Sequence, residues 1–176
     1  QTGKLMTNIT NSSTETFSIE AMAKQAKKAS LQTAQLTSSE KNSLLNEMAE
    51  TIEANCADVL VANKKDIDLG RSKGLSDAML DRLLLNEKRV KDIADAIREI
   101  AQLSDPVGSM SNVMLRPNGL QVGKMRIPLG VISMIFEARP NVTAEAAALC
   151  IKSGNAVILR GGSEALHSNL ALAKCL

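Results

Sequence analysis

Two short stretches of this chain carry residues that could do chemistry. Ala138-Arg139-Pro140-Asn141 offers a guanidinium and a side-chain amide, and Arg160-Gly161-Gly162-Ser163 offers a second guanidinium, two glycines and a hydroxyl. Each follows an apolar run, residues 130–136 and 156–159, and each leads into helix-forming sequence. That places both at the carboxyl ends of strands, where open α/β sheets bind their ligands. The Asn141 amide can donate to an oxygen that gains charge during a reaction, or it can cap the helix that follows. Pro140 biases Arg139 towards an extended backbone. Its guanidinium then suits bidentate capture of a phosphate or carboxylate, with an ion pair to Glu137 as the plain alternative. In the second stretch the glycines permit close backbone approach while Arg160 and Ser163 supply charge and a hydroxyl, which suits an adenosine ribose and its 2′-phosphate. An ordinary glycine turn capped by Ser163 would use the same residues.

Other reactive side chains are scarce. Cys56, Cys150 and Cys175 have neither disulfide-framework nor zinc-ligand spacing, and each falls on an apolar helical stripe, so all three read as structural. A nucleophilic thiol needs a base or cation beside it. His167, the single histidine, has no pairing with any cysteine in sequence and reads as a partly exposed residue near a helix start. No metal site is expected.

The elements that must position these residues follow from periodicity. Residues 130–136 form an almost continuous apolar strand, expected to be covered on both faces. A helix follows with Asn141 or Thr143 as cap, Glu145 in its first turn and strong helix formers over 144–149. Ser153-Gly154-Asn155 ends it, and 156–159 form a second strand of a right-handed βαβ crossover. Upstream, Ile19, Met22, Ala23, Ala26, Ala29 and Thr33 make one helical stripe. Thr37-Ser38-Ser39-Glu40 is a capping box opening a second helix that runs to about residue 61. A third helix covers 77–85, and a fourth begins at Asn86 with Val90, Ile93, Ala94, Ile97 and Ala101 inward. Pro117-Asn118-Gly119 separates extended runs at 113–116 and 120–127, a hairpin signal.

Composition narrows the class of function. Aromatic residues are 1% of the 176, which removes the stacking platforms of single-stranded nucleic-acid binding. A net charge of +2 with interleaved signs gives no field for nucleic acid or membrane. No apolar segment approaches the ~20 residues of a membrane span. Few cysteines fit a reducing cytoplasm. Residues 1–18 read as a disordered arm, Ser-, Thr- and Asn-rich over 7–16, with the five residues before Met6 as an expression remnant.

The run FEARPNVT followed by SGNAVILRGGSEA, preceded by Asp81-Arg82-Leu83-Leu84-Leu85, Asp105-Pro106-Val107-Gly108 and Arg116-Pro117-Asn118-Gly119-Leu120, resembles the γ-glutamyl phosphate reductases (glutamate-5-semialdehyde dehydrogenases). These are a divergent branch of the aldehyde dehydrogenase superfamily, and the resemblance covers the chain from about residue 19 onward. It implies an α/β fold: an N-terminal helical layer (19–108), an oligomerisation hairpin (109–127) and the first strands of a Rossmann-like cofactor domain (128–176). It also implies an N-terminal fragment, inactive alone, whose catalytic domain and nucleophilic cysteine lie beyond Leu176.

The implied activity is NADPH-dependent conversion of L-glutamyl 5-phosphate to L-glutamate 5-semialdehyde in proline biosynthesis. Asn141 would be the oxyanion donor, Arg139 a substrate ligand, and Ala138, Arg160, Gly161, Gly162 and Ser163 the cofactor contacts. A homo-oligomer joined through 109–127, and glutamate 5-kinase as a partner, are implied as well. The rival expectations are an inactive nucleotide-binding or assembly module, and another acyl-phosphate or aldehyde dehydrogenase.

Overall fold

A computed structural model describes residues 18–176. The polar arm before Ser18, with Met6 and the residues preceding it, lies outside the described residues. Ser18, the last residue assigned to that arm, instead caps a helix by accepting from the Ala21 N–H at 3.3 Å. The helix it opens, α1, spans Ile19–Thr33. Met22, Ala26, Ala29, Ser30 and Thr33 turn inward, whereas Ile19 and Ala23 are exposed. The apolar stripe is therefore used mainly in its later turns.

The capping box at Thr37 forms as its spacing predicts. The hydroxyl accepts from the Glu40 N–H at 3.3 Å and the Glu40 carboxylate accepts from the Thr37 N–H at 2.8 Å, satisfying two orphan donors of α2, Ser38–Ala54. This helix does not run on to residue 61. Asn55, with φ −99° and ψ 16°, breaks it, and a further helix, α3, spans Cys56–Ser72. Two shorter-looped helices follow, α4 at Asp77–Leu83 and α5 at Glu87–Gln102. The Asn86 side chain caps α5 through the Arg89 N–H at 2.8 Å. All five residues expected on the inner face of α5 are buried.

The hairpin pairs β1, Met110–Leu115, with β2, Gln121–Met125, antiparallel in the register Met110↔Met125. An irregularity between Ser111 and Met114 coincides with Asn112 at φ 53°. The parallel sheet consists of β3, Val131–Ile135, and β4, Ala156–Arg160, in register Val131↔Ala156. Between them runs α6, Asn141–Lys152. A 3₁₀ turn at Ser163–Ala165 and α7, Leu166–Ala173, complete the order.

Two devices fix this βαβ unit. The helix α6 ends in a Schellman motif: Gly154, at φ 72°, donates to Ile151 C=O and Asn155 N–H donates to Cys150 C=O. The buried Asn155 side chain then accepts from the Gly130 N–H at 2.8 Å, which sets the starts of β3 and β4 side by side. The expectation that β3 is covered on both faces is not met: Ile135 is 72% exposed. The apolar run fills only part of its potential burial because β4 is its single partner among the described residues.

The main core joins α2, α5, α6 and α7, with Val157 and Leu159 of β4 packed against it. Buried polar groups tie its rim. Lys41 pairs with Asp105 at 2.9 Å, and Lys152 donates to Asn42 Oδ1 at 2.6 Å and Ala101 C=O at 2.8 Å.

Candidate functional site

The carboxyl ends of β3 and β4 face a row of three cavities. The first, about 310 Å³, is lined by Arg139, Asn141 and Glu145 and by Arg82 of α4, Leu85 of the following turn and Arg89 of α5. A second, about 690 Å³, is lined by Arg160, Gly162, Ser163 and Glu164 together with Asp66 of α3 and Lys73 just past its end. A cavity of about 120 Å³ lies against Ala138, Arg139 and Arg82, with Glu137 and Glu164 also on its wall. The residues singled out in sequence thus divide into two groups, Arg139 with Asn141 and Arg160 with Gly162 and Ser163, and Ala138 lines the small cavity.

Asn141 occupies the first helical position of α6, and Pro140 holds the cap position with no side-chain cap bond. The amide donates to Glu145 Oε1 at 3.0 Å, one helical turn on. Neither Asn141 nor Thr143 caps the helix. Thr143 is buried and donates to Asn169 Oδ1 at 3.0 Å, tying α6 to α7. Glu145 lies one residue past the first turn, where it orients the Asn141 amide. An amide NH₂ has two donors, so one is left for a ligand oxygen.

Arg139 is exposed, and among the described residues it forms no ion pair with Glu137 or any other acid. Its N–H closes a tight turn onto Glu137 C=O at 2.7 Å. The Phe136 N–H bonds Arg160 C=O at 3.0 Å, which carries the β3–β4 pairing to the edge of the cavities. Close approach favours glycine at Gly161, where the Asn169 amide is held by Thr143, whereas at Gly162 only the movable end of Glu164 is near. A Cβ at Gly161 would collide with the Asn169 amide nitrogen, and one at Gly162 would meet a Glu164 carboxylate oxygen. Gly161 therefore packs on α7, while Gly162 and Ser163 line the larger cavity. Ser163 makes no cap bond.

His167 has a partner that sequence did not reveal. Asp66, 2% exposed, accepts from the His167 N–H at 3.1 Å, the Ser168 N–H at 2.7 Å and the Ser168 hydroxyl at 2.6 Å, and meets His167 Nδ1 at 2.7 Å. A carboxylate from α3 thereby holds the start of α7 and the glycine loop before it. Burial pushes all three thiols, Cys56, Cys150 and Cys175, above the usual cysteine value, with nearby acids adding to the shift at Cys56 and Cys175. None is an activated nucleophile. Among the described residues no group of three or more His, Cys, Asp or Glu could hold a metal ion, and no helix is long and apolar enough to cross a membrane.

The cavity walls supplied by Asp66, Lys73, Arg82 and Arg89 escaped the sequence reading. Only Asp81-Arg82-Leu83-Leu84-Leu85 carried a signal, as wording shared with relatives.

Comparison with known proteins bears on these cavities. The aldehyde dehydrogenase family model matches residues 1–176. The chain is 68% identical over 160 residues to the gamma-glutamyl phosphate reductase of Colwellia psychrerythraea, covering 91% of this chain and 38% of that protein. The crystal structure of gamma-glutamyl phosphate reductase from Thermotoga maritima is similar with a TM-score of 0.85 at 37% identity, over 89% of this chain and 38% of that one. The reductase of the same name from Saccharomyces cerevisiae gives a TM-score of 0.82 at 33% identity, over 88% and 40%. The chain spans about two fifths of the length of the relatives it matches.

Proposed function

We propose, from the premise that this chain belongs to the aldehyde dehydrogenase family, that it forms the segment of a γ-glutamyl phosphate reductase that holds NADPH and one wall of the substrate site. The reaction is reduction of L-glutamyl 5-phosphate to L-glutamate 5-semialdehyde, a step of proline biosynthesis. The observation that supports this most is the pair of ligand-ready strand ends, Asn141 after β3 and Arg160–Ser163 after β4, in a chain 68% identical to a protein of that name.

The larger cavity fits a phosphorylated nucleotide. Arg160 and Lys73 give it two cations from separate elements, Ser163 a hydroxyl, and Gly162 a wall without a Cβ, alongside the carboxylates of Asp66, Glu137 and Glu164. NADPH, when bound, supplies hydride. Arg160 pairs with the 2′-phosphate through its planar fork, and Ser163 hydrogen-bonds the ribose. Gly161 and Ala138 keep the loop and the strand end slim. Asn141, oriented by Glu145, donates its remaining N–H to the substrate oxygen that becomes negative when a thiolate attacks. Arg139 binds an anionic group of the substrate.

In this reading residues 19–108 and 128–176 form one cofactor-binding unit, and 109–127 project from it to bind a second copy of the chain. The attacking thiolate comes from outside the described residues. A cytoplasmic setting and handover of the labile acyl phosphate from glutamate 5-kinase complete the proposal.

A transplant tests it. This chain would replace the corresponding stretch of the Colwellia relative, and the reaction would be run in reverse with glutamate semialdehyde, phosphate and NADP⁺. Turnover is expected within a few fold of the recipient. In the same hybrid, Arg160→Ala should raise the Michaelis constant for NADPH about tenfold with little change for NADH. A folded but inactive hybrid, or equal effects on both cofactors, would sink the assignment.

A further inference from the structure

We propose that Arg82 joins Arg139 to form a two-guanidinium site for a phosphoryl group beside Asn141; this deepens the reading above and rests on it. The two arginines come from different elements, the last turn of α4 and the loop after β3, and both line the first cavity and the small one next to it.

Charge accounting in the first cavity carries the inference. Of its acids, Asp81 is paired with Arg89 at 2.8 Å, Asp92 with Lys88 at 2.9 Å, and Glu145 receives the Asn141 amide at 3.0 Å. Arg89 is committed in turn: beyond Asp81 it donates to Leu84 C=O at 2.8 Å. Arg82 and Arg139 remain, and neither has an ion pair or a side-chain hydrogen bond among the described residues. Two guanidiniums without partners on one cavity wall outnumber the single acid there that lacks a cationic partner, Glu145, and can grip an anion from two elements. Glu137 and Glu164 share the small cavity with both arginines and offset their field there, whereas neither glutamate lines the first cavity, to which the site is therefore assigned.

Arg82 is also held in place. Leu83 beside it is fully buried, and Asn63 fixes its carbonyl at 2.8 Å and the Leu85 N–H at 2.8 Å. Arg89 clasps the same turn through Asp81 and Leu84. The exposed Arg82 side chain therefore starts from a fixed backbone turn.

The chemistry recognised is a phosphoryl dianion, with three sources: an acyl phosphate, inorganic phosphate, or the cofactor's 2′-phosphate. The site is assigned to the first two, which share the position of the leaving phosphate.

Calorimetric titration of the 176-residue chain would use acetyl phosphate, inorganic phosphate, 2′-AMP and L-glutamate as probes. Acetyl phosphate and phosphate should compete for one site. Arg82→Gln and Arg139→Gln should each weaken both about tenfold or more, and Arg82→Lys should recover only part, since an ammonium lacks the fork. Circular dichroism would show that each variant is folded. Unchanged phosphate affinity in folded Arg82→Gln overturns the inference. So does an equal loss in Lys64→Gln, remote from the cavity, because that marks diffuse charge attraction. Dependence of 2′-AMP binding on Arg82 would reassign the site to the cofactor. An inactive hybrid with a phosphate site that still depends on Arg82 would sink the reductase reading and leave this one standing.

Discussion

Asn141 carries two amide N–H groups, and one is committed to Glu145 at 3.0 Å while none of its atoms caps α6. A cap removed costs about 1 kcal/mol or more, whereas an i,i+4 side-chain contact contributes only about 0.2–0.5 kcal/mol. Asn141→Ala should therefore leave the melting temperature of this chain almost unchanged, and in the hybrid enzyme it should lower turnover about a hundredfold or more. A large stability loss with normal turnover would return the residue to a purely local role. The opposite holds for Asp105. Burial pushes its carboxyl up, but hydrogen bonds from Lys41, Ser38 and the Val107 N–H outweigh this and hold it below the usual carboxylate value. A lowered folded value means that the contribution to stability is present above the unfolded value of about 3.9 and is lost as pH falls through the folded value. Denaturant midpoints should thus drop on acidification below about pH 4, and Asp105→Ala should flatten that drop. At neutral pH the same variant should cost about 3 kcal/mol, because Lys41, 1% exposed at the side chain, is left as an unpaired buried cation.

Among the elements, α3 is the one whose polar residues do the most positioning. Asn63 bridges Leu83 C=O, the Leu85 N–H and the Ser168 hydroxyl, and Asp66 takes the start of α7, so one helix face fixes the turn behind Arg82 and the loop behind Ser163. Asn63→Ala should destabilise by about 2–4 kcal/mol, since it leaves the Leu83 C=O and the Leu85 N–H buried without that partner, while the Ser168 hydroxyl keeps its bond to Asp66. Amide exchange at Leu85 should rise more than at Ile97 in the core of α5; uniform change would mean global loosening instead. This helix was also the least legible in sequence. Hydrophobic periodicity assigns polar residues outward, yet Asp66, within the mixed charged run from Lys64 to Asp68, is buried. Nor did sequence show that Asn55 divides one apolar stripe into two helices. Where local chemistry decides the outcome, as in the Thr37 capping box, the α5 stripe, the Gly154 stop and the Asn118-Gly119 turn, the reading held. Both cavity-lining motifs were legible because they follow apolar runs. The walls opposite them come from distant sequence and left only the Arg82 stretch as a trace.

At the scale of the whole molecule, the surface is uneven in a way that assigns tasks. Every residue of β1 and β2 is exposed, including Val113 at 53% and Leu115 at 72%, and a two-stranded ribbon with apolar residues and free edges seeks pairing. Sedimentation should show reversible self-association that disappears when 109–127 are replaced by a short Gly-Ser turn; a clean monomer at high concentration would count against the hairpin as an assembly arm. The thiols lead to a different expectation. In the proposed reaction a cysteine thiolate would attack near Asn141, and a thiolate at neutral pH needs a cation, a base or a helix start to stabilise it. Cys150 and Cys175 are buried, Cys56 is half-buried, and burial raises all three. The 176-residue polypeptide should accordingly show no turnover of glutamate semialdehyde, phosphate and NADP⁺ even at high concentration, while the hybrid assayed beside it does. Turnover by the polypeptide that vanishes in Cys150→Ser alone would overturn both the placement of the nucleophile elsewhere and the structural role of that cysteine in the core face of α6.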